Sequence, residues 1–297
     1  MSVRFFKRIF LCILLLIFLI PVALAAYFGV SRSREAEENK QLRAQLEQLQ
    51  ASGGQTVGVT GPDGASFPYQ ELYPELYCEP ERPDGWQRSE NTVYLTFDDG
   101  PSANTAAILD VLAAQGVKAT FFVGGSEAEN APELLRRIVE EGHTIGIHTY
   151  SHQYRELYSS VESYLADFKQ VYDMIYEATG VKAEIFRFPG GSINGYNGLI
   201  YEQLIAELTR RGFTYYDWNV TGGDSISGAT AQDITYNVVS GMEGIDRAVV
   251  ALHDFDGGAA TVEALPGIIE QLRQGGNSFA ALTPEVSPII FGYASVS

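Results

Sequence analysis

An α/β fold, with parallel strands curling toward a closed barrel, is what this sequence predicts, on three observations. From Asn91 onward, short β-rich runs alternate with helical patterns, the mark of repeated βα units. The residues best able to do chemistry fall at the ends of those runs, where βα barrels carry their sites. With 45% hydrophobic and 19% charged residues in a length of 297, the chain can bury a sizeable core. That composition excludes a wholly disordered, collagen-like or disulfide-stapled protein.

Arg4, Lys7 and Arg8 precede residues 9–30, an uncharged apolar run of 22 residues. As a helix this run is long enough to cross a hydrocarbon core of roughly 30 Å. The flanking positive charges keep the N-terminus cytoplasmic and send the remainder outside. The run reads as an uncleaved transmembrane signal anchor, because apolar residues continue past Ala25; cleavage at Ala23-Leu24-Ala25, with secretion, is the alternative. A single-pass cell-membrane protein with an extracytoplasmic domain is therefore expected. Residues 31–50 join good helix formers to Leu42, Leu46 and Leu49 at helical spacing and read as a helical stalk. Residues 51–66 concentrate Gly, Ser, Thr and Pro, a flexible tether. Residues 69–86, aromatic and Pro-rich, lead into the domain. Three regions result: 1–30, cytoplasmic tip and anchor; 31–68, stalk and linker; 69–297, the folded domain with its lead-in.

Within that domain the first strand is expected at 93–97, closed by Asp98-Asp99-Gly100-Pro101. A helix follows, with Ile108, Leu109, Val111 and Leu112 as its apolar face. Further strands are expected at 119–123, 144–147, 184–188, 214–216 and 248–252, and a short last one near 278–281. Helical patterns lie between them at 131–141, 161–179, 198–211, 231–242 and 262–274.

Charge narrows the partners. Against 20 Lys and Arg stand 37 Asp and Glu, a formal charge of -17. So acidic a surface repels phosphate backbones and argues against nucleic acid. Cys12 lies in the apolar run and Cys78 is distant from it, so no disulfide is expected.

Asp98 and Asp99 end the first strand, and His148-Thr149-Tyr150-Ser151-His152 ends the third. Two of only four histidines thus lie four apart, a spacing that puts both imidazoles on one side of a turn. With one carboxylate they would make a His₂Asp set with positions left for water, the pattern of a catalytic zinc. A second carboxylate nearby could take a proton from that water. The zinc-protease helix motif is not matched, since no Glu lies between the histidines. Read from the residues alone, Asp-Gly-Pro is also a good turn sequence and the histidine pair could be a surface feature. His143, at a helix-to-strand turn, reads as structural.

These segments together resemble the polysaccharide deacetylase family of carbohydrate esterases, from about Thr92 to Thr283. Thr96-Phe97-Asp98-Asp99-Gly100-Pro101 is similar to its first motif, which implies Asp98 as general base and Asp99 as metal ligand. His148 and His152 resemble its metal-binding histidines. Arg187-Phe188-Pro189-Gly190-Gly191 resembles the third motif, in which the arginine pairs with the catalytic aspartate. Leu252-His253-Asp254 resembles the fifth, where the leucine lines an acetyl pocket and the histidine is the general acid. The resemblance implies a distorted (β/α) barrel and a divalent metal, zinc foremost with cobalt possible.

Two motifs depart from the family pattern. The third commonly has Tyr where this chain has Gly190, which keeps the backbone N–H expected to donate to an oxyanion but loses an aromatic contact with the sugar. The fourth, usually Asp-Trp, aligns best with Asp224 and Ser225, so that Asp224 tunes His253; Asp217-Trp218 is the rival. Arg187 could equally be a structural ion pair, and Leu252 could be core. The resemblance implies a metal-dependent hydrolase that removes acetyl groups from N-acetylated sugars of a cell-wall polysaccharide, foremost peptidoglycan. Alternatives are an esterase releasing O-acetyl groups from a polysaccharide such as xylan, and an inactive wall-binding protein that keeps the fold.

Overall fold

The computed structural model describes residues 67–79 and 86–292. The predicted anchor, stalk and most of the linker lie outside those residues. Among the described residues no helix is long and apolar enough to cross a membrane. The expectation of a single-pass membrane protein is corrected accordingly: the one span it rested on, residues 9–30, is outside the described residues, and no described helix supplies another.

The strands are β1 (Thr92–Asp98), β2 (Thr120–Val123), β3 (Thr144–Ile147), β4 (Ile185–Phe186), β5 (Thr214–Tyr215), β6 (Val220–Thr221), β7 (Arg247–His253) and β8 (Ser278–Phe279). The helices are α1 (Thr105–Gln115), α2 (Gly125–Asn130), α3 (Pro132–Glu140), α4 (Tyr154–Leu157), α5 (Val161–Thr179), α6 (Tyr201–Arg210), α7 (Ala231–Gly241) and α8 (Ala259–Gln274). One sheet runs in the order β5-β4-β3-β2-β1-β7-β6, with β8 beside β1, and every pairing is parallel. The end strands β5 and β6 are neighbours in sequence, separated only by residues 216–219. So short a link spans at most about 18 Å, which forces the sheet to curl until its ends approach. Those ends do not pair, so the barrel is distorted and open at one seam rather than closed.

β1 is buried along its whole length, as a central parallel strand covered on both faces must be. It pairs with β7 over seven residues, from Thr92 opposite Arg247 to Asp98 opposite His253. α5 carries the largest helical share of the core. Ser160 caps it by accepting from the Ser163 N–H at 3.1 Å, and Gly180, at φ +74°, ends it. Val161, Tyr164, Leu165, Phe168, Val171 and Ile175 are buried along it. Burying each of the aliphatic and Phe side chains contributes roughly 1.5–3 kcal/mol.

The lead-in is part of the same core. Tyr69, Leu76 and Cys78 are buried, and the fully buried Arg211 holds the segment in place. Its guanidinium donates to the carbonyls of Tyr69, Leu72, Tyr73 and Leu76 and to Glu207 Oε1 at 2.8–3.3 Å. All five donors are thereby used.

Candidate active site

Parallel pairing carries the ends of five strands to one rim. The β1–β7 register sets Asp98 beside His253. Beyond β3, His148 Nδ1 lies 2.8 Å from the carbonyl oxygen of Arg187, which follows β4. Asp224, beyond β6, reaches across to His253. Every side chain expected to do chemistry except Leu252, which lies within β7, therefore stands at or after a strand C-terminus.

Asp99 Oδ1 lies 3.5 Å from His148 Nε2 and 3.4 Å from His152 Nε2, and the three donor atoms all fall within 4.8 Å of one another. Two ligand atoms about 2.0–2.1 Å from one tetrahedral ion are roughly 3.3–3.4 Å apart, so the set fits a zinc-sized cation. His148 is prepared for that task. Its Nδ1 is engaged by the Arg187 carbonyl, which leaves Nε2 for the site. Burial lowers its pKa in spite of Asp98 and Asp99, and the neutral imidazole is the form that binds a metal.

Asp99 at φ +75° and His152 at φ +51° are both in the left-handed region. That conformation costs a non-glycine residue about 1–2 kcal/mol, so two of the three donors are held against a backbone preference. Gly100 lets the turn close: a Cβ there would sit 2.3 Å from Asp254 Oδ2. The His148–His152 loop is fixed by Asp167 of α5, whose carboxylate accepts from the N–H groups of Tyr150 at 2.6 Å and Ser151 at 2.9 Å. A cavity of about 380 Å³ opens beside the three donors, with Thr149, Tyr150 and Phe255 among its other walls.

Asp98 is buried and ion-paired at 2.8 Å to Arg187, itself fully buried. The guanidinium also donates to the Tyr216 carbonyl at 2.9 Å, to Thr96 Oγ1 at 2.6 Å and to the Asp217 carbonyl at 3.2 Å. It lies over the rings of Phe122 and Trp218. Asp98 thus has a single fixed orientation.

His253, half-buried, presents Nδ1 to Asp224 Oδ1 at 2.8 Å, and its own N–H donates to Asp224 Oδ2 at 2.7 Å. Thr261 Oγ1 donates to the same Oδ2 at 2.9 Å. Burial opposes a charge on His253, but the Asp224 hydrogen bond and the carboxylates of Asp98, Asp224 and Asp99 outweigh it. The imidazole is pushed up to about 9. A fixed Nδ1 leaves the Nε2 proton as the one available to a reacting group.

Gly190, exposed and at φ +72°, sits in the turn after Pro189. The Pro189 carbonyl accepts from Tyr158 Oη at 2.8 Å and Asn194 Nδ2 at 3.0 Å. Where a side chain would leave Gly190, the ring of Tyr154, at the start of α4, already stands. Leu252 is fully buried within the core and faces Gly222, where a Cβ would meet it at 2.5 Å; it is not on the wall of the cavity. Ser225, beside Asp224, is exposed. Asp217, the rival fourth-motif aspartate, is fully buried and accepts from Ser192 and from the Phe291 N–H, apart from His253. His143 is buried, its pKa lowered by burial to about 4, and its Nδ1 accepts from the Ala119 N–H at 3.0 Å, a structural role.

A family model described as polysaccharide deacetylase matches residues 86–208. The putative polysaccharide deacetylase YheN of Bacillus subtilis is 34% identical over 206 residues, 67% of this chain and 70% of the relative. This chain belongs to the polysaccharide deacetylase family. Another relative, the peptidoglycan-N-acetylglucosamine deacetylase of Bacillus cereus, is 32% identical over 69% of this chain and 74% of its own length. Among solved structures, the catalytic domain of the peptidoglycan N-acetylglucosamine deacetylase from Eubacterium rectale superposes with a TM-score of 0.67. It is 35% identical and covers 73% of this chain and 99% of that one. Membership carries the fold and the deacetylase class to this chain.

Proposed function

We propose that this deacetylase is a metal-dependent hydrolase acting on N-acetylated sugars of a cell-wall polysaccharide, peptidoglycan foremost. One observation carries the reading: the Asp99, His148 and His152 donors converge at 3.4–3.5 Å, with Asp98 and His253 side by side at the ends of β1 and β7. Peptidoglycan is favoured because relatives 32% and 35% identical to this chain are peptidoglycan N-acetylglucosamine deacetylases.

Asp99, His148 and His152 would hold a divalent cation, zinc by its donor set with cobalt as a substitute, which would supply Lewis acidity toward the acetyl oxygen and toward a water. Asp98 takes a proton from the attacking water, while Arg187 holds that carboxylate in place through the 2.8 Å ion pair. As water oxygen bonds to the acetyl carbon, negative charge gathers on the former carbonyl oxygen, and the Gly190 N–H donates to it. His253, kept charged by Asp224, passes its Nε2 proton to the sugar nitrogen as the C–N bond breaks. Acetate and a free amine leave, and the proton on Asp98 returns the site to its starting state through solvent. Leu252, next to His253 in β7, is buried in the core, and the acetyl-pocket role expected of it is part of the same proposal.

Mass spectrometry of wall fragments after incubation with the purified protein tests the proposal. Loss of acetyl groups from N-acetylated sugars is the expected result. Unchanged fragments, together with acetate release from acetylated xylan, would move the activity to O-acetyl esters.

A further inference from the structure

We propose that Tyr154 and Tyr196 form an aromatic shelf that stacks against the pyranose ring of a sugar next to the one being deacetylated. They are thus specificity-determining residues for long glycans, an inference that rests on the deacetylase reading above. Three rings run outward from the donor cluster. The edge-on pair His152–Tyr154 has centroids 5.3 Å apart, and Tyr154–Tyr196 follow at 5.0 Å. Tyr196, 54% exposed, ends the run in solvent.

The shelf exists because position 190 has no side chain. A Cβ on Gly190 would stand 3.0 Å from Tyr154 Cε1 and 3.1 Å from its hydroxyl, and φ +72° disfavours any other residue there. Tyr154 occupies that space, directly against the turn whose N–H the proposed mechanism assigns to the oxyanion. One residue ties the two parts together. Asn194 donates through Nδ2 to the carbonyls of Pro189 and Gly191, and its Oδ1 accepts from the Tyr196 N–H at 2.8 Å. The tyrosine at the rim is therefore held in register with the turn at the centre.

A large ring half in water, one edge apolar and its tip polar, matches the C–H face and hydroxyl rim of a neutral pyranose.

The experiment compares kcat/KM for acetate release from the pentamer and the dimer of N-acetylglucosamine, in wild type and in Tyr196→Ala, Tyr196→Trp and Tyr154→Leu. Tyr196→Ala is expected to raise KM for the pentamer about five- to tenfold, with kcat changed much less, the scale of one lost aromatic contact. The preference for pentamer over dimer falls with it, and Tyr196→Trp restores that preference. Tyr154→Leu lowers it as well. Circular dichroism verifies that the variants are folded. An unchanged pentamer-to-dimer ratio in Tyr196→Ala would overturn the shelf. If wild type releases no acetate from either oligomer, the deacetylase reading fails, and calorimetric binding of the pentamer then decides the shelf separately. Weaker binding by Tyr196→Ala supports it, whereas equal binding, or none by wild type, overturns it.

Discussion

Replacing Asp98 by Asn should separate the base from the binding site. The side chain keeps its shape and one oxygen that can accept from Arg187 Nη1, now 2.8 Å away, but loses its charge and its ability to take a proton. The guanidinium keeps its charge, so the hydrogen bond stays charge-assisted on the donor side, but the buried Arg187 loses its counter-ion, a change that costs about 3–5 kcal/mol. Arg187 retains Tyr216, Asp217 and Thr96 as partners, which keeps the cost at the lower end, about 3 kcal/mol. For a domain of this size that lowers Tm by roughly 6–12 °C. Removal of a general base costs about 10²- to 10⁴-fold in rate, or roughly 3–5 kcal/mol on the barrier. Acetate release should therefore fall by at least two orders of magnitude at 25 °C, where the variant is still folded, and bound metal measured by mass spectrometry should be unchanged. Turnover within tenfold of wild type, with metal retained, would refute the base assignment. Joint loss of metal and turnover would place Asp98 in the ligand set instead.

His148→Ala should lose the cation as well as the activity, and chelation of wild type should silence it, with zinc or cobalt restoring turnover; chelator-resistant acetate release would contradict the metal reading. With His253 pushed up to about 9, turnover needing its proton should persist through neutral pH and decline as pH rises toward that value. A cation on Asp99 offsets that carboxylate's part in the elevation. Asp224→Asn removes the largest supporting contact, so the alkaline limb of the pH–rate profile should move down toward or below 6.5, the ordinary histidine value. The same linkage acts on folding. The raised pKa contributes stability that is full below 6.5 and lost as pH rises through about 9, and Asp224→Asn should flatten that part of a Tm-against-pH curve. Asp167→Ala leaves the Tyr150 and Ser151 N–H groups without their carboxylate; affinity for zinc, read by titration with a competing chelator, should fall about 10- to 100-fold.

What could be read from the sequence is what is local in the chain. Adjacent Asp98 and Asp99, and two histidines four apart, announce themselves by spacing, and the ends of β1, β3 and β7 then bring them together. Asp224 was also legible, although β6 was not: Val220 and Thr221 are too few to show alternation, and Gly222-Gly223 follow at once. Asp167 went unremarked because its partners lie 16 and 17 residues earlier. Its signal was a lone acid on a helix face otherwise made of Tyr164, Leu165, Phe168 and Val171, which has to be satisfied by something. The surroundings of Leu252 are also non-local: Gly222, beyond β6, leaves the space its side chain occupies. The packing of Tyr154 beside Gly190 is three-dimensional, with no trace in either segment alone.

The grip of Arg211 on four carbonyls of the lead-in sets where an autonomous fragment can begin. The family model's match starts at residue 86, yet a chain started there would strand a guanidinium in the interior with most of its protons unanswered and open a void where Tyr69 and Leu76 sit. Trimming to that boundary would thus yield an aggregating product, whereas a start ahead of Phe67 would preserve the clasp.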